Sequence, residues 1–178
     1  MKLRRVINLF GGPSTGKSTI AAGLFYDLKR LGSSVEMVHE YAKELTYEKR
    51  GLVLTQDQLY IFAKQHRKLF RIRDEVDYAI CDSPLLLPAI YYSVHKDQIY
   101  NKDLFNDLVI STFNKYPNIN IFLERNPAFN YEDHGREQDE DQSKEIDNLM
   151  LSFLEKEGID FKKILSDNYT VHKILTTF

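Results

Sequence analysis

Two rhythms of apolar residues alternate along these 178 positions. Short continuous apolar runs fall near 4–10, 34–39, 77–82, 119–124 and 161–166, each of strand length. Between them apolar residues recur at helical spacing. Ile20, Leu24, Leu28 and Leu31 form one stripe of a helix expected from about Lys17 to Leu31, with Gly32 placed to end it. A second helix is expected to open at Thr55, where Gln58 three residues on completes a capping-box pattern, and to run through Leu59, Phe62, Ala63 and Leu69. Asp103 to Tyr116 reads as a third, stopped by Pro117. Strands that are apolar throughout and alternate with helices predict an α/β fold, a mostly parallel sheet covered on both faces. The segment 126–142 is the longest without apolar periodicity and reads as a mobile, lid-like loop.

Composition narrows the setting. With 43% hydrophobic and 28% charged residues over 178 positions, the chain reads as one soluble domain, 1–178. Pro84 to Tyr92 is the longest strongly apolar stretch and is far too short to cross a membrane. A cleavable signal peptide is not expected, because the charged start feeds directly into the first strand. The single cysteine, Cys81, lies in an apolar run, which suits a core residue and a reducing cytoplasm. Twenty-four basic against twenty-six acidic residues leave a net charge of −2, so no global basic field attracts nucleic acid.

The candidate chemistry starts where the first strand ends. Gly11-Gly12-Pro13-Ser14-Thr15-Gly16-Lys17-Ser18 is GxxxxGK[ST] in the strand–loop–helix setting that a phosphate loop requires. Glycines let the backbone curl until successive N–H groups face one phosphate, and the helix entered through Lys17, Ser18 and Thr19 adds its positive dipole end. Lys17 would neutralise the outer phosphates, and the Ser18 hydroxyl can join a magnesium shell. A glycine-rich turn without a ligand is the plain alternative. The context favours triphosphate binding.

Asp82 ends the run Tyr78-Ala79-Ile80-Cys81, and in a parallel sheet ligands gather at the carboxyl ends of strands. It could hold magnesium, accept the proton of an attacking hydroxyl, or merely cap the helix after Pro84. Glu40, after the second strand, is placed to reach the acceptor side, or to open the next helix. Neighbouring His39 reads as structural. Arg125 and Arg136 flank the irregular segment and could stabilise a transferring phosphoryl group. The acids Glu137, Asp139, Glu140, Asp141, Glu145 and Asp147 read as a solvated helix face. Lys64, His66, Arg67, Lys68, Arg71 and Arg73 form the basic cluster. It is either a solvent-facing surface or a track for the phosphates of an acceptor. Tyr60, Tyr91 and Tyr92 could stack on a base or belong to the core.

These residues resemble the small P-loop kinases grouped with thymidylate, deoxynucleoside and nicotinamide riboside kinases, and most closely their phage-encoded members. The resemblance is carried by GGPSTGKSTIAAGLFYDLK, VHEYAKELTYE, DQLYIFAKQHRKL, YAICDSPLLL and a GRE segment. It implies a three-layer P-loop NTPase fold with strand order 2-3-1-4-5 and an arginine-bearing lid. It also implies ATP and Mg2+ as cofactors, with Glu40 as base, Asp82 as the third-strand acid, and Arg125 and Arg136 as lid-flanking arginines. Some phage kinases of this look phosphorylate the hydroxymethyl group of 5-hydroxymethyldeoxyuridine in DNA. The third-strand motif departs from many relatives, since Ser83 stands where they carry arginine. The function expected is an ATP-dependent kinase acting on a nucleoside, a nucleotide or hydroxymethylated DNA, with no membrane partner and a homodimer left open. The alternative is an ATPase or nucleotide-dependent switch working with a protein or polymer. Whether ATP or GTP is preferred, and whether Asp82 or Glu40 is the base, stay open.

Overall fold

Each apolar run of the sequence becomes a strand: β1 Arg5–Phe10, β2 Val35–Val38, β3 Tyr78–Cys81, β4 Asn118–Glu124 and β5 Lys162–Leu165. The computed structural model describes residues 3–95, 99–131 and 139–177. All pairings are parallel, in the order β2-β3-β1-β4-β5, which is the order the resemblance implies. The connections carry α1 Lys17–Arg30, α2 Tyr41–Tyr47, α3 Gly51–Gln56, α4 Gln58–Phe70, α5 Leu87–Val94, α6 Lys102–Phe113 and α7 Glu140–Lys156; α8 Thr170–Leu175 follows β5. None of the described helices is long and apolar enough to cross a membrane.

Alternate residues of each central strand feed separate cores, which is why the strands read as continuous apolar runs. Ile7, Leu9, Ile80, Ile121 and Leu123 share one cluster with Ala21 and Leu24 of α1 and Ile174 of α8. Val6, Phe10, Ala79, Cys81 and Phe122 share the other with residues of α4, α5, α6 and α7. Burial pushes the Cys81 thiol above its ordinary range, the Asp82 carboxylate adding to the effect, so this cysteine is an inert core residue. Gly23 leaves bare backbone where α8 crosses α1, since a Cβ there would lie 2.7 Å from Val171 Cγ2.

Three asparagines interrupt this apolar interior. Buried Asn8 of β1 donates through Nδ2 to Asn118 Oδ1 and Asn120 Oδ1 of β4, each at 2.9 Å. Asn118 in turn donates to the Phe113 carbonyl at 2.8 Å and Asn120 to the Asp160 carbonyl at 2.9 Å.

The segment expected as one helix from Thr55 is instead two. Thr55 belongs to α3, its hydroxyl bonding back to the Gly51 and Leu52 carbonyls, while Asp57 caps α4 by accepting from the Tyr60 N–H at 2.9 Å. The carboxylate reaches the third helical amide directly, whereas the threonine hydroxyl is satisfied by its own preceding turn. The helix expected over 103–116 is α6, capped by Asn101 and ending at Phe113. Asp139 and Gln142 form a reciprocal capping box, so α7 begins inside the segment expected to be irregular. Residues 132–138 of the expected lid, Arg136 among them, lie outside the described residues.

Candidate active site

Strand β1 ends under the curl of backbone that the glycines permit. Gly11 has φ 136°, Gly16 φ 85° and Ser14 φ 66°, all in the region that favours glycine. Gly16 occupies the cap position of α1, where no side-chain cap is present, so its first-turn amides face the cavity lined by residues 13–20. Within the loop, the Thr15 hydroxyl donates to the Gly12 carbonyl at 3.0 Å. Lys17 Nζ donates to the Gly11 and Gly12 carbonyls at 2.7 and 2.8 Å, which holds the ammonium over the curl.

Helix α7 presses against the outer side of this loop. Asp147 Oδ1 accepts from the Gly12 N–H at 2.5 Å, and Ser143 Oγ donates to the Pro13 carbonyl at 2.7 Å. Arg125, just after β4, donates from Nε to Asp147 Oδ2 at 2.6 Å and from Nη2 to the Ser143 carbonyl at 3.2 Å and to the Ser143 hydroxyl. The reading of Asp147 as part of a solvated face is therefore corrected: its side chain is only 14% exposed. It stands on the buried stripe Ser143, Ile146, Met150 and Leu154, four residues after Ser143. That helical register was the signal that could have found it. Other acids of the run do face solvent, among them Glu140, Asp141 and Glu145.

Asp82 emerges beside the loop at the end of β3, 6% exposed. Its Oδ2 accepts from Ser18 Oγ at 3.3 Å, while Oδ1 is buried without a hydrogen-bond partner among the described residues. It does not cap the following helix, because Leu86 holds the cap position of α5 and Pro88 lies in its first turn. A hydroxyl and an under-satisfied carboxylate at the foot of a phosphate loop fit Mg2+, which takes one or two protein oxygens and completes its shell with phosphate and water. Among the described residues there is no group of three or more histidine, cysteine or acidic side chains that would suit an all-protein metal cage.

A cavity of about 840 Å³ runs from the phosphate loop to the ends of β2 and β3, with Glu40, Gln58, Gln65, Ser83 and Tyr91 along its far wall. Glu40 sits at the cap position of α2, and its side chain does not cap the helix. Gln65, 2% exposed, accepts from the Tyr41 N–H at 3.0 Å and donates to the Ser83 carbonyl at 2.9 Å. One amide thus joins the residue after Glu40 to the residue after Asp82. Gln58 and Gln65 lie on the buried stripe of α4 with Ile61, Phe62 and Leu69, again a pattern that sequence reading missed. Burial, with the Glu40 and Asp147 carboxylates nearby, pushes the Tyr91 phenol up, so it stays protonated and can donate. Its ring stacks on His95.

Other candidates fall elsewhere. Tyr60 bonds to the Tyr41 hydroxyl at 2.9 Å, and Tyr92 packs between Tyr100 and Phe105; neither lines the cavity, whereas Tyr91 does. Of the basic cluster, Lys68 is committed to Glu44 and the His39 carbonyl, Lys64 lies over the Tyr60 ring, and Arg67 over Phe70. None of Lys64, Arg67, Lys68 or Arg71 borders the cavity. The structure therefore gathers Gly11, Pro13, Ser14, Thr15, Gly16, Lys17, Ser18, Thr19, Glu40 and Arg125 around one space, with Gly12 and Asp82 immediately behind it.

Solved structures of deoxyadenosine kinase from M. mycoides share this fold. The form with the products dCMP and a flexible dCDP is 17% identical, with TM-score 0.58 over 97% of each chain. The form with dATP is 18% identical, with TM-score 0.55 over 97% of this chain and 98% of that one. The form with dCTP is 20% identical, with TM-score 0.54 over 97% of each. No curated protein matches the chain. A family profile does, and its span of residues 6–170 takes in the sheet, the phosphate loop and both walls of the cavity. The chain belongs to that family, the one described as the AAA domain.

Proposed function

We propose that this protein is an ATP-dependent kinase that transfers the γ-phosphate to a hydroxyl of a nucleoside, a nucleotide or a modified base. The observation that carries the reading is the continuity of the cavity, about 840 Å³, from the phosphate loop to a second wall bearing Glu40, Gln58, Gln65 and Tyr91. A hydrolase needs room for a triphosphate and water; a second polar wall built into the same space suits a small acceptor. The fold shared with deoxyadenosine kinase, a protein solved with nucleotides bound, points the same way.

In this mechanism the curl of 11–16 and the first turn of α1 receive the β- and γ-phosphates, and Lys17 turns from the glycine carbonyls to the outer oxygens. Ser18 and Asp82 would hold Mg2+, which when bound neutralises charge on the phosphates. Glu40 accepts the proton of the acceptor hydroxyl, with Asp82 the alternative base. The acceptor oxygen forms a bond to the γ-phosphorus as the bond to the β-γ bridging oxygen breaks, releasing ADP. Arg125 and Arg136 are the arginines proposed for the charge that spreads over the transferring group. Arg125 offers it only the edge of the guanidinium not already bonded to α7. The more specific acceptor we propose, from the sequence resemblance, is the hydroxymethyl group of 5-hydroxymethyldeoxyuridine in DNA.

The test is an ADP-release assay with ATP and Mg2+ across deoxynucleosides, their monophosphates and DNA containing 5-hydroxymethyldeoxyuridine, with products weighed by mass spectrometry. Stimulation by one acceptor and a product heavier by one phosphoryl group is the expected result. ATP consumption that no acceptor stimulates, with inorganic phosphate as product, would replace the kinase by the ATPase or switch.

A further inference from the structure

The contact between α7 and the phosphate loop lies outside every role assigned so far. Resting on the reading of the loop as a triphosphate site, we propose that Asp147 is a positioning residue. By accepting from the Gly12 N–H while paired with Arg125, it sets the loop, and through it Lys17, for the triphosphate.

The peptide units it controls are the ones that hold the lysine. Lys17 Nζ is bound by the Gly11 and Gly12 carbonyls, and the N–H of Gly12, in the peptide unit that carries the Gly11 carbonyl, is taken by Asp147 Oδ1 at 2.5 Å. Fixing that amide fixes the direction of the carbonyl beside it, because the peptide is planar. Gly12 is also tightly covered by α7 and Arg125: a Cβ there would lie 2.5 Å from the Ser143 carbonyl, 2.8 Å from Arg125 Nη2 and 2.9 Å from Asp147 Oδ1. The Ser143 hydroxyl adds a second tie at the Pro13 carbonyl, 2.7 Å away.

A carboxylate beside a phosphate loop would by itself repel the ligand. Arg125 removes that objection, since its Nε lies 2.6 Å from Asp147 Oδ2 and the two charges offset each other where both side chains are largely buried. The pair therefore presents a neutral face to the triphosphate while keeping a strong acceptor for the Gly12 amide. Arg125 in this role acts through Asp147, in addition to any contact of its remaining edge with phosphate.

The roles separate by mutation, read as ATP affinity by calorimetry with Mg2+ present and as melting temperature without nucleotide. Asp147→Ala leaves the Gly12 amide without its acceptor and is expected to weaken ATP roughly tenfold or more, the scale of a lost hydrogen bond to a charged group. Asp147→Asn keeps one acceptor oxygen for the Gly12 amide but turns its NH2 towards Arg125 Nε, and is expected to weaken ATP less than Asp147→Ala does. Arg125→Ala leaves the carboxylate unpaired and is expected to weaken ATP roughly tenfold, and adding Asp147→Asn to it restores most of that loss. A residue that merely supports the helix would lower melting without this recovery of affinity. ATP affinity within about twofold of the parent in Asp147→Ala overturns the proposal, as does a failure of Asp147→Asn to rescue Arg125→Ala when both variants melt cooperatively. If the parent binds no ATP, or Lys17→Ala binds it equally well, the reading of the loop falls first and the proposal with it.

Discussion

The two walls of the cavity are built in opposite ways. The phosphate side is the six consecutive residues 11–16 between β1 and α1, shaped by backbone: Gly11, Ser14 and Gly16 at positive φ, and carbonyls that hold Lys17. The far wall, the proposed acceptor side, is assembled from single side chains on separate elements: Glu40 before α2, Gln58 and Gln65 on α4, Ser83 after β3, Tyr91 on α5. A backbone device needs only its own short sequence, so it recurs recognisably; a side-chain device depends on how distant segments pack and can be retuned piecemeal. The difference teaches why the donor of the proposed reaction is easier to name than its acceptor.

Substitutions should widen or close that contrast. The largest effect is expected for Lys17→Ala, which removes the ammonium from the outer phosphates and should lower turnover by roughly a hundredfold or more in an ADP-release assay, with folding retained. Near-parental turnover would mean that the loop is not a phosphate site. Asp82→Asn should lower turnover by a similar or smaller factor while moving stability the other way. A carboxylate 6% exposed, with Oδ1 unpartnered among the described residues, is costly to bury. Neutralising it should therefore raise stability by about 1 kcal/mol or more in chemical denaturation without ligand. A loss of stability would show that the charge is better paired than the geometry indicates.

Gln65→Ala attacks the other wall. It strips partners from the Tyr41 N–H and the Ser83 carbonyl and should cost about 1–3 kcal/mol of stability. Because those residues follow Glu40 and Asp82, the KM for acceptor should rise more than the KM for ATP; an equal rise in both would contradict the division into two walls. The smallest effect is at His66, away from both. Burial, with the Arg73 charge nearby, lowers its pKa below the ordinary 6.5. Its contribution is therefore present above pH 6.5 and is lost as pH falls from there through the lower folded value. The melting temperature of the parent should fall more between pH 7 and 5 than that of His66→Gln, a modest difference set by one partly buried group.

Much of this was legible in the chain. The five strands, their parallel arrangement and the phosphate loop follow from apolar runs and a local motif, and Asp82 follows from the rule that ligands meet strand ends. What escaped were polar residues on buried helix faces. Asp147 was grouped with its acidic neighbours, although Ile146, Met150 and Leu154 place it on the inner stripe. Gln58 reads in sequence as a capping-box partner, whereas it shares the buried stripe of α4 with Gln65, whose amide serves the Tyr41 N–H and the Ser83 carbonyl. The break at Asp57 was missed because Thr55 and Gln58 satisfy the capping pattern in letters, while the contest between two caps is decided by contacts with the preceding turn.

The asparagine trio bears on how the chain avoids error. β1 and β4 carry the phosphate loop and Arg125 at their ends, so their pairing sets how far apart those groups stand. Apolar strands with Ile and Phe at many positions could slide by two residues, keeping each side chain on its own face, at little cost in burial. Such a slide shifts the strands by about 7 Å, far more than the Arg125 bonds to α7 or the Asp147 bond to Gly12 could follow. Asn8, 1% exposed, meets Asn118 and Asn120 together in this alignment, and one that took it away from both would leave a buried amide unpaired. One buried amide with two partners on the next strand would thus serve as a proofreading mark, penalising misaligned sheets in which the groups at the strand ends stand too far apart to meet.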